Sequence, residues 1–141
     1  MPTWLIYATL SAVFAALTAI LAKIGIKGVN SNLATAIRTV VILIFAWGIV
    51  FAQGLHRQIQ TLSRETIIFL VLSGIATGLS WLFYFRALQL GEASKVAPID
   101  KFSLVLTIIF AAIILKERIT IPVGIGVTLV TIGTYIIAFV K

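Results

Sequence analysis

The stretch LATAIRTVVILIFAWGIVFAQ, residues 33–53, is almost entirely apolar and carries one charged side chain, Arg38. A run of roughly 20 apolar residues is long enough for a helix to cross the hydrocarbon core of a bilayer. The run lacks the alternating pattern of a membrane β-strand. Because backbone groups in hydrocarbon must be hydrogen-bonded within the protein, the stretch predicts a transmembrane α-helix.

Similar apolar runs follow one another along the whole chain. We predict one transmembrane domain, residues 1–141, with spans at 4–22, 33–53, 65–90, 97–115 and 119–140. The composition agrees, since 61% of the residues are hydrophobic and 11% are charged, about half the charged fraction of a soluble domain. The predicted fold class is an all-α integral membrane protein, a bundle of five transmembrane helices.

The charge and the chemistry of the side chains exclude several function classes. The formal net charge is +7, but the cations lie singly between apolar runs, so membrane lipid is the expected partner and nucleic acid is not. With no Cys and one His, His56, in a predicted loop, we expect no metal site and no cofactor. No nucleophile has an adjacent base, so we predict that the protein is not an enzyme.

Loop charges bear on the orientation of the chain. We call the membrane face at the start of the first span side A and the opposite face side B. Side A loops carry Arg57, Arg64, Lys116 and Arg118, and side B loops carry Lys23, Lys27, Lys95 and Lys141. Arg38, Arg86 and Lys101 lie within a few turns of side B and give it an excess. Two interpretations remain open, a weak preference for side B in the cytoplasm and insertion in both orientations.

Three charged residues near side B form the predicted site. Charged groups at membrane depth are costly and usually face a cavity or a partner. We predict that Arg38, Asp100 and Lys101 line the path of a charged or zwitterionic solute, with an aromatic wall at Trp81 and Tyr84. The simpler alternative for Asp100 is an acid in the first turn of a helix, matched to the helix dipole.

Glycines mark possible helix contacts, since small residues let helix backbones approach in lipid. Gly74 and Gly78 are four residues apart in the third span, and Gly126 and Gly133 are seven apart in the fifth. We predict that these glycines serve helix packing or a dimer contact. Ordinary packing within one chain is the simpler interpretation of each pair, and the fifth span is the best candidate for a contact between chains.

The stretch GEASKVAPIDKFSLVLTIIFAAIILKERIT, residues 91–120, resembles the end of an EamA-type repeat of the drug/metabolite transporter superfamily. ATAIRTVVILIFAW, residues 34–47, also resembles that family. Most members have ten spans in two oppositely oriented repeats, and this chain has one repeat. The resemblance implies a small secondary transporter of a small organic solute or metabolite in a bacterial inner membrane. It also implies a dimer with itself or with a related chain, and an antiparallel homodimer would rebuild the inverted repeat.

Two other functions stay open beside this one. The chain resembles more distantly the small multidrug resistance exporters, which depend on an acid in the first span, but residues 4–22 contain no acid. The alternatives are a non-transporting membrane subunit of a larger complex and a subunit of a lipid-linked sugar flippase.

Overall fold

The computed structural model describes residues 2–139, and all regular structure in that range is helical. The end of the predicted fifth span at residue 140 and the side B charge of Lys141 lie outside the described residues. The α-helices are α1 (Thr3–Gly25), α2 (Ser31–Ala52), α3 (Arg64–Leu90), α4 (Ala93–Asp100), α5 (Ser103–Ile114) and α6 (Ile121–Phe139). A 3₁₀ helix, Leu55–Thr61, joins α2 to α3.

In the part of the chain that the structure describes, five helical stretches are long and apolar enough to cross a membrane. They are Thr3–Gly25, Ser31–Ala52, Arg64–Leu90, Ala93–Ile114 and Ile121–Phe139. The all-α membrane fold predicted from the sequence is therefore confirmed.

The helix ends follow from local hydrogen-bond chemistry. The Asn30 side chain accepts a hydrogen bond from the backbone N–H of Asn32 at 2.9 Å, which caps α2. At the start of α3, the Ser63 hydroxyl accepts from the Thr66 N–H at 3.1 Å. These caps use N–H groups of the first turn that have no partner inside the helix. Gly54, with a φ of 69°, takes the left-handed conformation that follows α2.

The fourth span is interrupted. It begins at Ala93, earlier than the apolar run indicates, because the carbonyl of Glu92 accepts the N–H groups of Lys95 and Val96. Pro98 consequently lies inside α4 and not in its first turn. Proline offers no N–H to the preceding turn and crowds it, which disrupts a helix. The chain tightens after Asp100, where the N–H of Phe102 donates to the Ile99 carbonyl at 2.9 Å, and α5 then begins.

The chain divides into two compact units. The α2–α3 unit is Ala22–Gln89, which contains the end of α1, all of α2 and nearly all of α3. The α4–α6 unit contains the earlier part of α1 with α4, α5 and α6, and in it both α4 and α5 pack against α6.

Most large apolar side chains are exposed. Phe45 is 71% exposed, Phe69 is 68% exposed and Ile121 is 82% exposed, whereas Phe85 and Leu88 are almost fully buried. An apolar surface of this kind marks contact with lipid or with other helices and not with water. The few buried positions of the α2–α3 unit lie toward side B, the end at which Lys23, Arg38 and Arg86 also lie.

Candidate functional site

Arg38 lies about two turns into α2, against the aromatic side chains of α3. The central carbon of its guanidinium is 4.2 Å from the centroid of the Phe85 ring and 5.6 Å from that of Trp81. Both distances are within the range of a cation–π interaction. Because Trp81 and Phe85 are four residues apart on one helix, their rings lie on the same face and can hold one guanidinium between them.

The Arg38 side chain carries a buried hydrogen-bond donor that is unpaired among the described residues. Its Nη1 atom is buried and has no hydrogen-bond partner among the described residues. A buried donor without a partner costs about 1–3 kcal/mol. Rings attract the cation but do not accept the directed N–H bonds that a guanidinium is built to make. The Nη1 donor of Arg38 is therefore available to a hydrogen-bond acceptor from outside the described residues.

Tyr84 continues the aromatic wall. Its ring meets that of Phe85 edge-on, with centroids 5.7 Å apart at an angle of 75°. The α2–α3 unit thus brings together three of the predicted path residues, namely Arg38, Trp81 and Tyr84, with Phe85 at their centre. We call these four residues the Arg38 cluster.

Asp100 and Lys101 belong to the α4–α6 unit. The Asp100 carboxylate is 3.7 Å from the Lys101 ammonium, and the Lys101 side chain is 62% exposed. Asp100 is the last residue of α4, so the alternative of a first-turn acid matched to the helix dipole is wrong. A carboxylate at this end is repelled by the dipole, and the neighbouring ammonium compensates it. An exposed pair of this kind adds little stability.

Hydrogen bonds tie the side B end of α3 to the end of α1 and the turn after it. Lys23 Nζ donates to the carbonyl of Leu88, which is one of the final carbonyls that a helix leaves without an internal partner. Gln89 Nε2 donates to the carbonyl of Val29 at 2.7 Å, and Gln89 Oε1 accepts from Arg86 Nη1 at 2.7 Å. The sequence contains no signal for these contacts, because a lysine or glutamine near a span end is ordinary.

The predicted contact glycines are open within their own units. A Cβ built on Gly74, Gly78, Gly126 or Gly133 would meet no atom of the same unit within 4 Å. Packing inside each unit therefore does not require glycine at these positions.

Comparison with known proteins fixes the family. The profile of the EamA-like transporter family matches residues 2–139. The chain belongs to the EamA-like transporter family. Over 136 residues, which is 96% of each protein, it is 47% identical to an "Uncharacterized transporter in cobO 3'region" of Sinorhizobium sp. Over 83 residues, 59% of this chain and 61% of the relative, it is 25% identical to "Uncharacterized protein MJ1333.1" of Methanocaldococcus jannaschii. No solved structure is a significant match.

Membership in the EamA-like family makes this protein a multi-pass membrane transporter of the drug/metabolite superfamily. The resemblance identified from residues 34–47 and 91–120 is therefore confirmed. The Arg38 cluster then lies within a transporter, at a depth where a charge is seldom kept for stability alone.

Proposed function

We propose that this EamA-like protein is a secondary transporter of a small organic solute that carries an anionic group, either as an anion or as a zwitterion. It works as an antiparallel homodimer in a bacterial plasma membrane and exposes its site to each face in turn. The observation that carries the proposal is the Arg38 guanidinium, which lies against two rings and whose buried Nη1 has no hydrogen-bond partner within residues 2–139.

The chemistry of the Arg38 cluster favours a carboxylate or a similar group. A planar guanidinium binds such groups through two parallel hydrogen bonds, and these bonds are stronger where water is scarce. The rings of Trp81 and Tyr84 offer apolar contact for the rest of a small organic molecule. In the α4–α6 unit, Asp100 and Lys101, which pair with each other, remain the polar residues that we propose for solute contact.

The single repeat supports the proposed dimer. Residues 2–139 contain five candidate spans, and the resemblance set out above implies that two such repeats make one working transporter. The balanced loop charges support insertion in both orientations. The exposed apolar side chains of α6, such as Leu129 at 64% and Ile137 at 51%, offer surface for a partner helix.

Removing the Arg38 charge tests the proposal. We expect Arg38→Ala to lower transport at least 100-fold, because the anionic group then has no donor at membrane depth. Arg38→Lys should retain part of the activity, since it keeps the charge and loses the planar pair of donors. The measurement is uptake into liposomes that contain the purified protein, with labelled carboxylates, zwitterions and organic cations as the solutes. Lys101→Ala should also abolish transport.

The matched control is Arg57→Ala, which removes an arginine from the 3₁₀ helix between α2 and α3. It should transport normally, and crosslinking should find the dimer in every variant. Wild-type flux in both Arg38→Ala and Lys101→Ala would overturn the assignment of the path. A wild-type chain that moves no solute but copurifies with a fixed partner would identify a non-transporting subunit. Movement of a lipid-linked sugar alone would identify a flippase subunit.

A further inference from the structure

A cavity lies in the α2–α3 unit, at the side B ends of α2 and α3. Its volume is about 450 Å³. One end is polar and is lined by Asn30, Ser31 and Asn32, where α2 begins, together with Arg86 of α3. None of the residues of the Arg38 cluster lines it.

The other end of the cavity is an apolar wall. Leu79, Leu82 and Phe83 line this wall from α3, and their spacing places them on the same face of the helix as Arg86. Leu79 is 51% exposed and Phe83 is 73% exposed, so this face is open to its surroundings. It rises about 10 Å from Leu79 to Arg86. The face therefore presents apolar side chains within the membrane and a cation near the side B surface.

The cation is held in place at the edge of the cavity. Arg86 Nη1 donates to Gln89 Oε1 at 2.7 Å, and Gln89 in turn donates to the Val29 carbonyl. A guanidinium has five N–H donors, so the bond to Gln89 orients the Arg86 side chain and uses only one of these donors. A second cation of the same unit lies at this end of α3, because Lys23 donates to the carbonyl of Leu88.

We propose that this cavity binds an anionic phospholipid, with its phosphate on Arg86 and the start of an acyl chain along Leu79, Leu82 and Phe83. Arginine binds phosphate through paired hydrogen bonds. Basic pockets between transmembrane helices are recognised binding sites for anionic headgroups. A soluble anion would not cover the apolar wall, and an apolar helix of a partner would leave the donors of Arg86 without acceptors. A phospholipid satisfies both ends of the site.

The test measures how lipids change the thermal unfolding of the detergent-purified protein. We expect phosphatidylglycerol to raise the Tm more than phosphatidylcholine does. In Arg86→Gln this difference should disappear, or need at least tenfold more phosphatidylglycerol. The control is Arg118→Gln, which removes a loop arginine on side A and should keep the full difference. Equal stabilisation by the two lipids, or an unchanged response in Arg86→Gln, would overturn the proposal.

A second variant separates binding from folding. Asn32 lies in the first turn of α2, where an acid is matched to the helix dipole. Asn32→Asp should therefore leave the Tm without lipid unchanged or higher, while the added carboxylate repels the lipid phosphate and reduces the phosphatidylglycerol response. An undiminished response in this variant would contradict the site. If inorganic phosphate reproduced the wild-type response, the cavity would hold a soluble anion and the lipid assignment would be wrong.

Discussion

Lys116 adopts a backbone conformation that side chains rarely take. Its φ is 57°, and it follows Leu115, the residue that caps α5. The turn lets the N–H of Glu117 donate to the carbonyl of Ala111 at 3.2 Å, which closes the end of the helix. Glycine is the usual residue at such a position, because a Cβ in the left-handed region costs on the order of 1 kcal/mol.

We expect Lys116→Gly to stabilise the protein by about 1 kcal/mol, because glycine adopts this conformation without strain. Thermal unfolding in detergent is the measurement. Lys116→Ala is the matched control, since it removes the charge and keeps the Cβ, and it should give no gain. Gly54→Ala, at a φ of 69°, should destabilise the protein. A gain in Lys116→Ala equal to that in Lys116→Gly would mean that charge and not backbone strain sets the cost.

The Arg38 cluster could be predicted in part. A single charge within residues 33–53 is conspicuous because desolvation makes it costly, and the spacing of Trp81 and Tyr84 identifies an aromatic face. The sequence could not predict that Phe85 is the ring nearest to Arg38. That detail depends on the rotation of α2 and α3 about their own axes, which no local pattern records.

The interruption of the fourth span shows why helix boundaries escape a hydropathy pattern. The apolar run begins near residue 97, but the helix extends back through Ser94 and Lys95 because the Glu92 carbonyl accepts the first N–H groups. That extension moves Pro98 from a harmless first turn into the helix interior. It also makes Asp100 the last residue of α4. Backbone hydrogen bonds decide where α4 begins and ends, and a hydropathy pattern contains no information about these bonds.

The glycines of α6 give a test of the proposed contact between chains. Gly126 and Gly133 are two turns apart on one face. We expect Gly126→Leu combined with Gly133→Leu to lower the dimer fraction at least tenfold in a membrane crosslinking assay, because leucine keeps helix backbones apart. The fold of each chain should persist, since a Cβ at either position meets nothing in its own unit.

Gly48→Leu in α2 is the matched control, because a Cβ there is equally open within its own unit. It should leave the dimer fraction unchanged. If the α2 and α6 variants lowered the dimer fraction equally, the loss would reflect a general effect of large side chains and not a specific contact at α6. An intact dimer in the α6 double variant would move the interface to another helix.

The membrane class of the chain could be predicted completely, and the arrangement of its helices could not. Lipid restricts the spanning structures to a few, so composition and run length are sufficient for the class. Inside a bilayer, however, the buried and lipid-facing sides of a helix are both apolar. Leu88 is 0% exposed and Leu90 is 73% exposed, although nothing in the sequence distinguishes the two leucines.

Orientation in the membrane tests the antiparallel homodimer. The chain has no Cys, so a cysteine that replaces Gln60 or Lys141 is the only thiol present. With a membrane-impermeant thiol reagent on intact cells, we expect each position to be labelled in about half of the molecules, as insertion in both orientations requires. Labelling after permeabilisation gives the total number of reactive thiols, against which the labelled fraction is calculated. If only one position were accessible from outside, the topology would be fixed, and the dimer would be parallel or would include a different chain.

The break between α4 and α5 also changes how the protein meets membranes of different thickness. The two helices are about 12 Å and 18 Å long, each too short to cross a hydrocarbon core of about 30 Å alone. An unbroken helix adapts to a thinner bilayer by tilting over its full length. The fourth span can instead bend at Lys101 and Phe102, so we expect it to absorb hydrophobic mismatch while the continuous spans keep their tilt.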